Sequence, residues 1–138
     1  MVIVNAWHTI RLGEHLKLSE EQLIALRRAG VVHDVGKIAV PDAILLKPVR
    51  LTAEEWTLIK EHPVVGERIC APLKSFRFVL PIIRYHHEKF DGSGYPDGLR
   101  GEAIPVTARG LQFSMFMMRS LPTGLIRRRF RSRMRFKQ

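Results

Sequence analysis

Two adjacent histidines, His86 and His87, are the most chemically suggestive residues of this sequence. Neutral imidazole is the commonest ligand for transition metals, and the nearby Asp91 could ligate a metal or orient one of its ligands. The chain then enters a turn over residues 92–98 that contains three glycines, where the backbone can approach a ligand closely. We therefore expect a metal or ligand site at this turn.

Two other histidines could complete such a site. His33 is followed by Asp34, and His62 stands directly before a proline. Imidazole with carboxylate suits divalent iron, manganese, nickel or zinc, and an aspartate can bridge two such ions. Two bridged ions favour hydrolysis of a phosphoester, for which Lys37 could hold the phosphate as a point charge.

Each histidine also has a plainer interpretation. A single buried histidine is usually a hydrogen-bonded core residue, and this applies to His33 or His62 taken alone. The recurrence of histidine in three clusters, one of which includes an aspartate, favours the metal site. His15 is expected at the surface.

Length and composition indicate one globular domain. The chain has 138 residues and is 46% apolar, which is enough to bury a core. Its one cysteine, Cys70, cannot form an internal disulfide, and no apolar run approaches the ~20 residues that span a bilayer. Without a signal-peptide pattern, these features predict a cytoplasmic location and no membrane segment.

The net charge of +10 comes from one end of the chain. Residues 1–102 carry 14 basic and 13 acidic residues, whereas residues 103–138 carry nine basic residues and no acidic residue. A nucleic-acid-binding module would therefore depend on the tail alone, and we expect no specific nucleic-acid partner.

The first long helix should end at the histidine–aspartate pair. Ser19 and Gln22 form a capping box, and apolar residues then recur at helical spacing. Gly36 is the predicted stop of this helix. Residues 35–50 are predicted to form a loop with a short apolar contact at residues 44–46.

A second capping box at residues 52–55 predicts a helix that carries Trp56 into the core and ends at His62. Pro63 can open the next helix, with Ile69 facing inward.

A further helix from Phe76 to Glu88, kinked at Pro81, should deliver the histidine pair to the glycine-rich turn. A last core helix is predicted to begin at residues 104–105. No segment alternates as a strand does, so the predicted fold class is all-α.

These residues resemble the HD-GYP phosphodiesterases, a branch of the HD hydrolase superfamily. The matching segments are residues 33–38 for the HD motif, 60–63 for the middle histidine and 86–105 for the signature HHExxDGxGYPxGLxGxxIP. The resemblance covers about residues 12–109. It implies an HD-domain helical bundle, two or three divalent ions, often iron or manganese, and hydrolysis of cyclic di-GMP to linear pGpG or GMP in bacterial signalling.

The resemblance also implies roles for individual residues. The metal ligands would be His33, Asp34, His62, His86 and His87. Asp34 and Lys37 would act in catalysis. Substrate binding would fall to Lys37, Asp91, Gly94, Tyr95 and Pro96. The expected partners are a cyclic dinucleotide and a sensor domain, receiver domain or other signalling protein.

The chain departs from the family pattern near its N-terminus. The family has a further histidine in an HxxR pattern, and His8 with Arg11 forms that pattern here. This pattern lies roughly seven residues too close to His33, which is two helical turns or about 10 Å of rise. A shortened N-terminal helix would therefore hold His8 away from the metal site.

The second departure follows Arg109, where the family continues with a helix that carries a metal-binding aspartate. Back-translation from the third base of the Ser114 codon allows Asp-Val-Tyr-Asp-Ala-Leu-Thr-Thr-Asp-Arg-Pro-Tyr, which fits that helix. We infer that the reading frame is displaced near Gln112. Residues 1–112 would then form the HD-GYP-like domain, and residues 113–138 an aberrant basic tail that is not a native core helix. The alternative function is a catalytically impaired remnant that acts as a binding module.

Overall fold

The computed structural model describes residues 10–120, which contain helices and turns but no strand. The helices are α1 over residues 10–15, α2 Glu20–Val32, α3 Asp42–Leu45, α4 Ala53–Lys60, α5 His62–Cys70, α6 Leu80–Tyr85 and α7 Val106–Ser120. Short 3₁₀ turns lie at Val35–Ala39, Lys74–Phe76 and Gly101–Ala103. The predicted all-α class is confirmed, while the predictions for His8 and residues 121–138 lie outside the described residues.

The hydrophobic core lies where α2, α6 and α7 meet. Leu26 of α2, Ile82 and Ile83 of α6 and Leu111 of α7 have no exposed surface. Burying a side chain of this size contributes about 1.5–3 kcal/mol, so these contacts fix the helices relative to one another. None of the described helices is long and apolar enough to cross a membrane.

Both predicted capping boxes are present. The Ser19 hydroxyl accepts a hydrogen bond from the backbone N–H of Gln22, and the Gln22 side chain accepts one from the backbone N–H of Ser19. Thr52 and Glu55 make the same reciprocal pair at the start of α4. Each box satisfies backbone donors that have no partner within the helix, which fixes where α2 and α4 begin.

Gly36 does not stop α2, which corrects the sequence prediction. The helix ends at Val32, and the chain continues directly into the 3₁₀ turn that contains Gly36. Gly36 instead permits close packing: a Cβ atom here would overlap the carbonyl oxygen of His62 and lie 2.5 Å from the backbone nitrogen of Gly66. The turn after Asp34 therefore lies directly against the start of α5.

Three other predictions were wrong for reasons of packing. Residues 35–50 contain a 3₁₀ turn and α3, and Leu46 is 78% exposed, so it makes no apolar core contact. Trp56 and Ile69 were predicted to face inward but are 44% and 45% exposed. The core cluster of the described residues contains no residue of α4, and Trp56 of that helix lies at the surface.

The predicted helix from Phe76 to Glu88 is also shorter than expected. A 3₁₀ turn ends at Phe76, and α6 covers only Leu80–Tyr85. Pro81 lies in the first turn of α6, where a missing N–H costs nothing, so it opens the helix and does not kink it. Pro63 opens α5 in the same way, as predicted.

The last helix begins at Val106, directly after the predicted start at residues 104–105. It continues to Ser120, past the predicted domain boundary at residue 112. Ser114 is buried, and Met115 packs against the core. The boundary remains a prediction, because a helix that continues through residue 112 does not report on the reading frame.

We predict that Gly36→Ala lowers the free energy of unfolding by roughly 2 kcal/mol or more, because its methyl group collides with backbone atoms that cannot rotate away. Urea unfolding would measure the loss. Gly110→Ala is the matched control: it lies in α7 with nothing within 4 Å of the added atom, and should be neutral or stabilising by up to about 1 kcal/mol. Equal stability of the two variants would contradict this account of the packing.

Candidate metal centre

Four predicted ligands meet between three elements of the fold. One side-chain ligand atom from each of Asp34, His62, His86 and His87 lies within 4.8 Å of the others. His62 is the first residue of α5, His86 follows α6, and Asp34 precedes the 3₁₀ turn after α2. His62 and His86 are buried, whereas Asp34 and His87 are partly accessible.

Backbone carbonyls orient three of the imidazole rings. The Nδ1 contacts are His33 to Ala29 O at 3.1 Å, His62 to Ile59 O at 2.7 Å and His86 to Ile83 O at 2.7 Å. A carbonyl oxygen can only accept, so each Nδ1 carries the proton and donates. In the neutral ring Nε2 then presents its lone pair, which is the form that ligates a metal.

The Nε2 lone pairs converge on the carboxylate of Asp34. His62 Nε2 lies 3.4 Å from Asp34 Oδ1 and 3.4 Å from His86 Nε2, and His86 Nε2 lies 3.9 Å from the same carboxylate oxygen. Acceptors facing one another in this way make no hydrogen bond without an added proton. A divalent cation satisfies all of them, so this donor set fits a metal ion.

His33 lies beside this group but is not within the tightest set. Its buried ring is 5.1 Å from the His86 ring between centroids, and its Nε2 is 3.5 Å from Asp34 Oδ2. Lys37 Nζ donates to the same Oδ2 at 2.8 Å. The two oxygens of the Asp34 carboxylate therefore face different partners, as a bridging carboxylate requires.

The environment favours the charge states that bind a metal. Burial lowers the pKa of His86 well below its usual value, and burial likewise lowers the pKa of His87 to about 3. Burial opposes ionisation of Asp34, but the Lys37 ammonium, through its hydrogen bond and its charge, holds the pKa of Asp34 well below its usual range. Both histidines are thus neutral and Asp34 is ionised near neutral pH.

The glycine-rich turn places Tyr95 at this cluster. The Tyr95 ring stacks on the His87 ring, with centroids 4.7 Å apart and planes 19° apart. The ammonium of Lys60 lies 5.9 Å from the centroid of Tyr95. Gly94 permits this fold of the chain, because a Cβ atom there would overlap backbone atoms of Glu88 and Lys89.

Asp91 and Pro96 occupy other parts of the turn. Asp91 is exposed, and its carboxylate accepts hydrogen bonds from Ser93 N at 2.9 Å and Ser93 Oγ at 2.7 Å. The pair shapes the turn, and Asp91 is not part of the four-residue group. Pro96 follows Tyr95 and is partly buried. His15 is exposed, as predicted.

Glu88 has a structural role that was not predicted from the sequence. This fully buried carboxylate accepts hydrogen bonds from Asp97 N at 2.7 Å and Leu99 N at 3.0 Å. Its backbone carbonyl accepts a hydrogen bond from the Gln112 side chain of α7. The signal for it in the sequence is the glutamate that the HHExx signature specifies directly after the histidine pair.

Comparison of the sequence with known proteins shows which family the chain resembles. A family model described as HD domain matches residues 4–116. The chain is 48% identical over 101 residues to the cyclic di-GMP phosphodiesterase response regulator RpfG of Xanthomonas campestris, which covers 71% of this chain and 26% of that protein.

Two further relatives have similar coverage. A cyclic di-GMP phosphodiesterase of Thermotoga maritima is 41% identical over 73% of this chain and 28% of its own length. A 3'3'-cGAMP-specific phosphodiesterase 2 of Vibrio cholerae is 41% identical over 72% of this chain and 19% of its own length. The chain thus spans about a quarter of the length of the curated relatives it matches.

We predict that the metal-free protein loses stability as the pH falls below about 6.5. An unfolded histidine takes up its proton near pH 6.5, whereas folded His87 stays neutral until about pH 3. Between these values the unfolded state binds more protons, so lowering the pH reduces the free energy of unfolding. Asp34 loses its own stabilising contribution only below its usual value of 3.8, outside most of this window.

Urea unfolding in the presence of a chelator, at intervals from pH 7.5 to pH 4.5, measures this slope. The variant His87→Gln should have a shallower slope than the parent chain, because one titrating group is removed. A midpoint that does not change with pH over this interval would contradict the neutral state assigned to the buried histidines.

Proposed function

The chain belongs to the HD domain family, and we propose that it is the catalytic region of a metal-dependent phosphodiesterase that hydrolyses cyclic di-GMP to linear pGpG or GMP in bacterial signalling. The observation that carries this proposal is the convergence of imidazole Nε2 atoms on the Asp34 carboxylate. The names of the relatives, which act on cyclic di-GMP or 3'3'-cGAMP, support a cyclic dinucleotide as the substrate.

The proposed ligands are His33, Asp34, His62, His86 and His87, holding two or three divalent ions. Nitrogen and oxygen ligands suit iron or manganese, whereas thiolate ligands suit softer metals. Cys70 lies in the hydrophobic core cluster, and burial raises the pKa of its thiol, so it is not a competing ligand. Ions bound here would polarise a phosphoryl oxygen and lower the pKa of a water molecule.

Asp34 and Lys37 carry the charges that the reaction needs from the protein. Asp34 is ionised and presents one oxygen to His62 and His86 and the other to His33 and Lys37. The Lys37 side chain is 40% exposed, so its ammonium can turn from Asp34 to a phosphate oxygen of the substrate. As a compact point charge it would hold that phosphate beside the cluster.

The glycine-rich turn would hold the rest of the dinucleotide. Tyr95 offers an aromatic face next to His87, and an aromatic face can stack on a nucleobase. Gly94 permits the chain to bring that ring to the cluster, Pro96 would line the same side of the turn for the substrate, and Asp91 shapes the turn through Ser93. These contacts would place a base beside the cluster and its phosphate over the metal ligands.

A catalytically impaired remnant is the second candidate. It is favoured by residues 113–138, whose sequence lacks the aspartate that the family places after residue 112. Such a chain would retain the Asp34 cluster and could bind metal, nucleotide or a partner protein without turnover. Because one relative is named a response regulator, a receiver or sensor domain is the partner that we propose in either case.

We predict that Asp34→Asn lowers metal affinity at least tenfold, because Asp34 supplies the one carboxylate of the cluster. Titration of the chelator-treated chain with manganese, followed by calorimetry, measures the affinity. Asp91→Asn is the matched control, since Asp91 is the nearby exposed acid of the turn and should leave the affinity unchanged. Equal loss in both variants would reject Asp34 as the central ligand.

We also predict that this chain binds less metal and hydrolyses cyclic di-GMP far more slowly than a chain with the reading frame restored after Gln112. Restoration returns the family's metal-binding aspartate to position 115 and rebuilds the helix beyond it. Metal analysis with a turnover assay on both chains measures the difference. If restoring the reading frame does not raise metal binding and turnover enough, inserting two helical turns after Arg11 should raise both further. Full metal-dependent turnover by the unmodified chain would show that the retained ligands suffice.

A further inference from the structure

A charged network outside the metal cluster holds the glycine-rich turn. The guanidinium of Arg84 donates from Nε to Asp97 Oδ2 and from Nη2 to Asp97 Oδ1, both at 2.9 Å. Its remaining nitrogen, Nη1, donates to Glu67 Oε2 at 2.6 Å. Parallel pairs of this kind are the strongest and most directional contacts between an arginine and a carboxylate.

The network joins the elements that carry the metal ligands to the turn that carries Tyr95. Glu67 is on α5, which begins at His62, and Arg84 is on α6, two residues before His86. Asp97 is two residues after Tyr95. Arg84 of α6 therefore connects the turn to α5 as well as to its own helix.

The backbone N–H of Asp97 also holds the turn in place. Asp97 N donates to the buried carboxylate of Glu88 at 2.7 Å, while the Asp97 side chain accepts from Arg84. With both its backbone and its side chain bonded, Asp97 has little freedom to move. Because Tyr95 is only two residues away, these bonds restrict where its ring can lie beside His87, as does the hydrogen bond of 3.3 Å from Tyr95 N to His87 O.

We propose that Asp97 and Arg84 are positioning residues that hold the Tyr95 ring against His87 and so set the affinity for the cyclic dinucleotide. The part of this inference that concerns affinity rests on the proposed function. The part that concerns Tyr95 rests only on the contacts. The resemblance to the HD-GYP signature gives no role to either residue, since position 97 is variable in that pattern and Arg84 precedes it.

The chain offers a matched pair of variants. Asp97→Asn and Glu67→Gln each remove one carboxylate that faces Arg84, and each preserves the shape of the side chain. Only Asp97 belongs to the turn. A general loss of stability would affect both variants alike, whereas a positioning role affects Asp97→Asn alone.

The test is the NMR spectrum of the full chain labelled at histidine. A ring stacked on His87 shifts the His87 ring-proton signals, so these signals report the position of Tyr95 without any need for activity. In Asp97→Asn the shift should be lost, whereas in Glu67→Gln it should persist. Titration with cyclic di-GMP should show binding about tenfold weaker in Asp97→Asn and unchanged in Glu67→Gln.

The outcomes separate this inference from the proposed function. If the shift is lost selectively but the parent chain does not bind cyclic di-GMP, positioning stands and the proposed substrate fails. Equal shifts in all three chains would overturn positioning. If Asp97→Asn does not fold, Arg84→Lys decides, because lysine keeps the charge beside Glu67 but cannot form the parallel pair. A His87 shift that persists in Arg84→Lys would likewise overturn the proposal.

Discussion

The carboxylate of Asp34 faces imidazole nitrogens that come from separate elements of the fold, so the site exists only while those elements stay packed together. His62 Nε2 lies 3.4 Å from one carboxylate oxygen, and His33 Nε2 lies 3.5 Å from the other. Backbone carbonyls hold the rings by accepting from Nδ1. The close approach of Gly36 to α5 keeps the carboxylate and His62 together.

This arrangement has an energetic cost in the metal-free protein. Burying an imidazole removes it from water, and the single hydrogen bond from Nδ1 offsets only part of that loss. The Nε2 atoms of His62 and His86 face each other at 3.4 Å with no proton between them in the neutral rings. A bound cation would relieve both effects, so metal binding and folding are expected to be coupled.

The sequence predicted those parts of the site that depend on local pattern. Capping boxes at Ser19 and Thr52 predicted the starts of α2 and α4, and the clustering of histidines with an aspartate predicted the group of Asp34 and three histidines. Such features can be found because their hydrogen bonds join residues close in the chain, or because the ligand types are rare.

Features that depend on packing between distant segments were missed. The sequence predicts Gly36 as a helix stop, but a glycine is needed there because α5 passes within van der Waals contact of it. Trp56 was predicted to be buried, yet no part of the core cluster covers it. The bonds from Arg84 to Glu67 and Asp97 span 17 and 13 residues, and no local pattern indicates them.

We propose that a metal ion binds among Asp34, His62, His86 and His87. X-ray absorption spectroscopy of the chain reconstituted with manganese or iron tests it most directly. An ion in this group should show nearest neighbours that are nitrogen and oxygen, more distant scattering from at least two imidazole rings, and no sulfur scatterer. A spectrum with oxygen neighbours alone and no imidazole scattering, or one with a sulfur ligand, would contradict it.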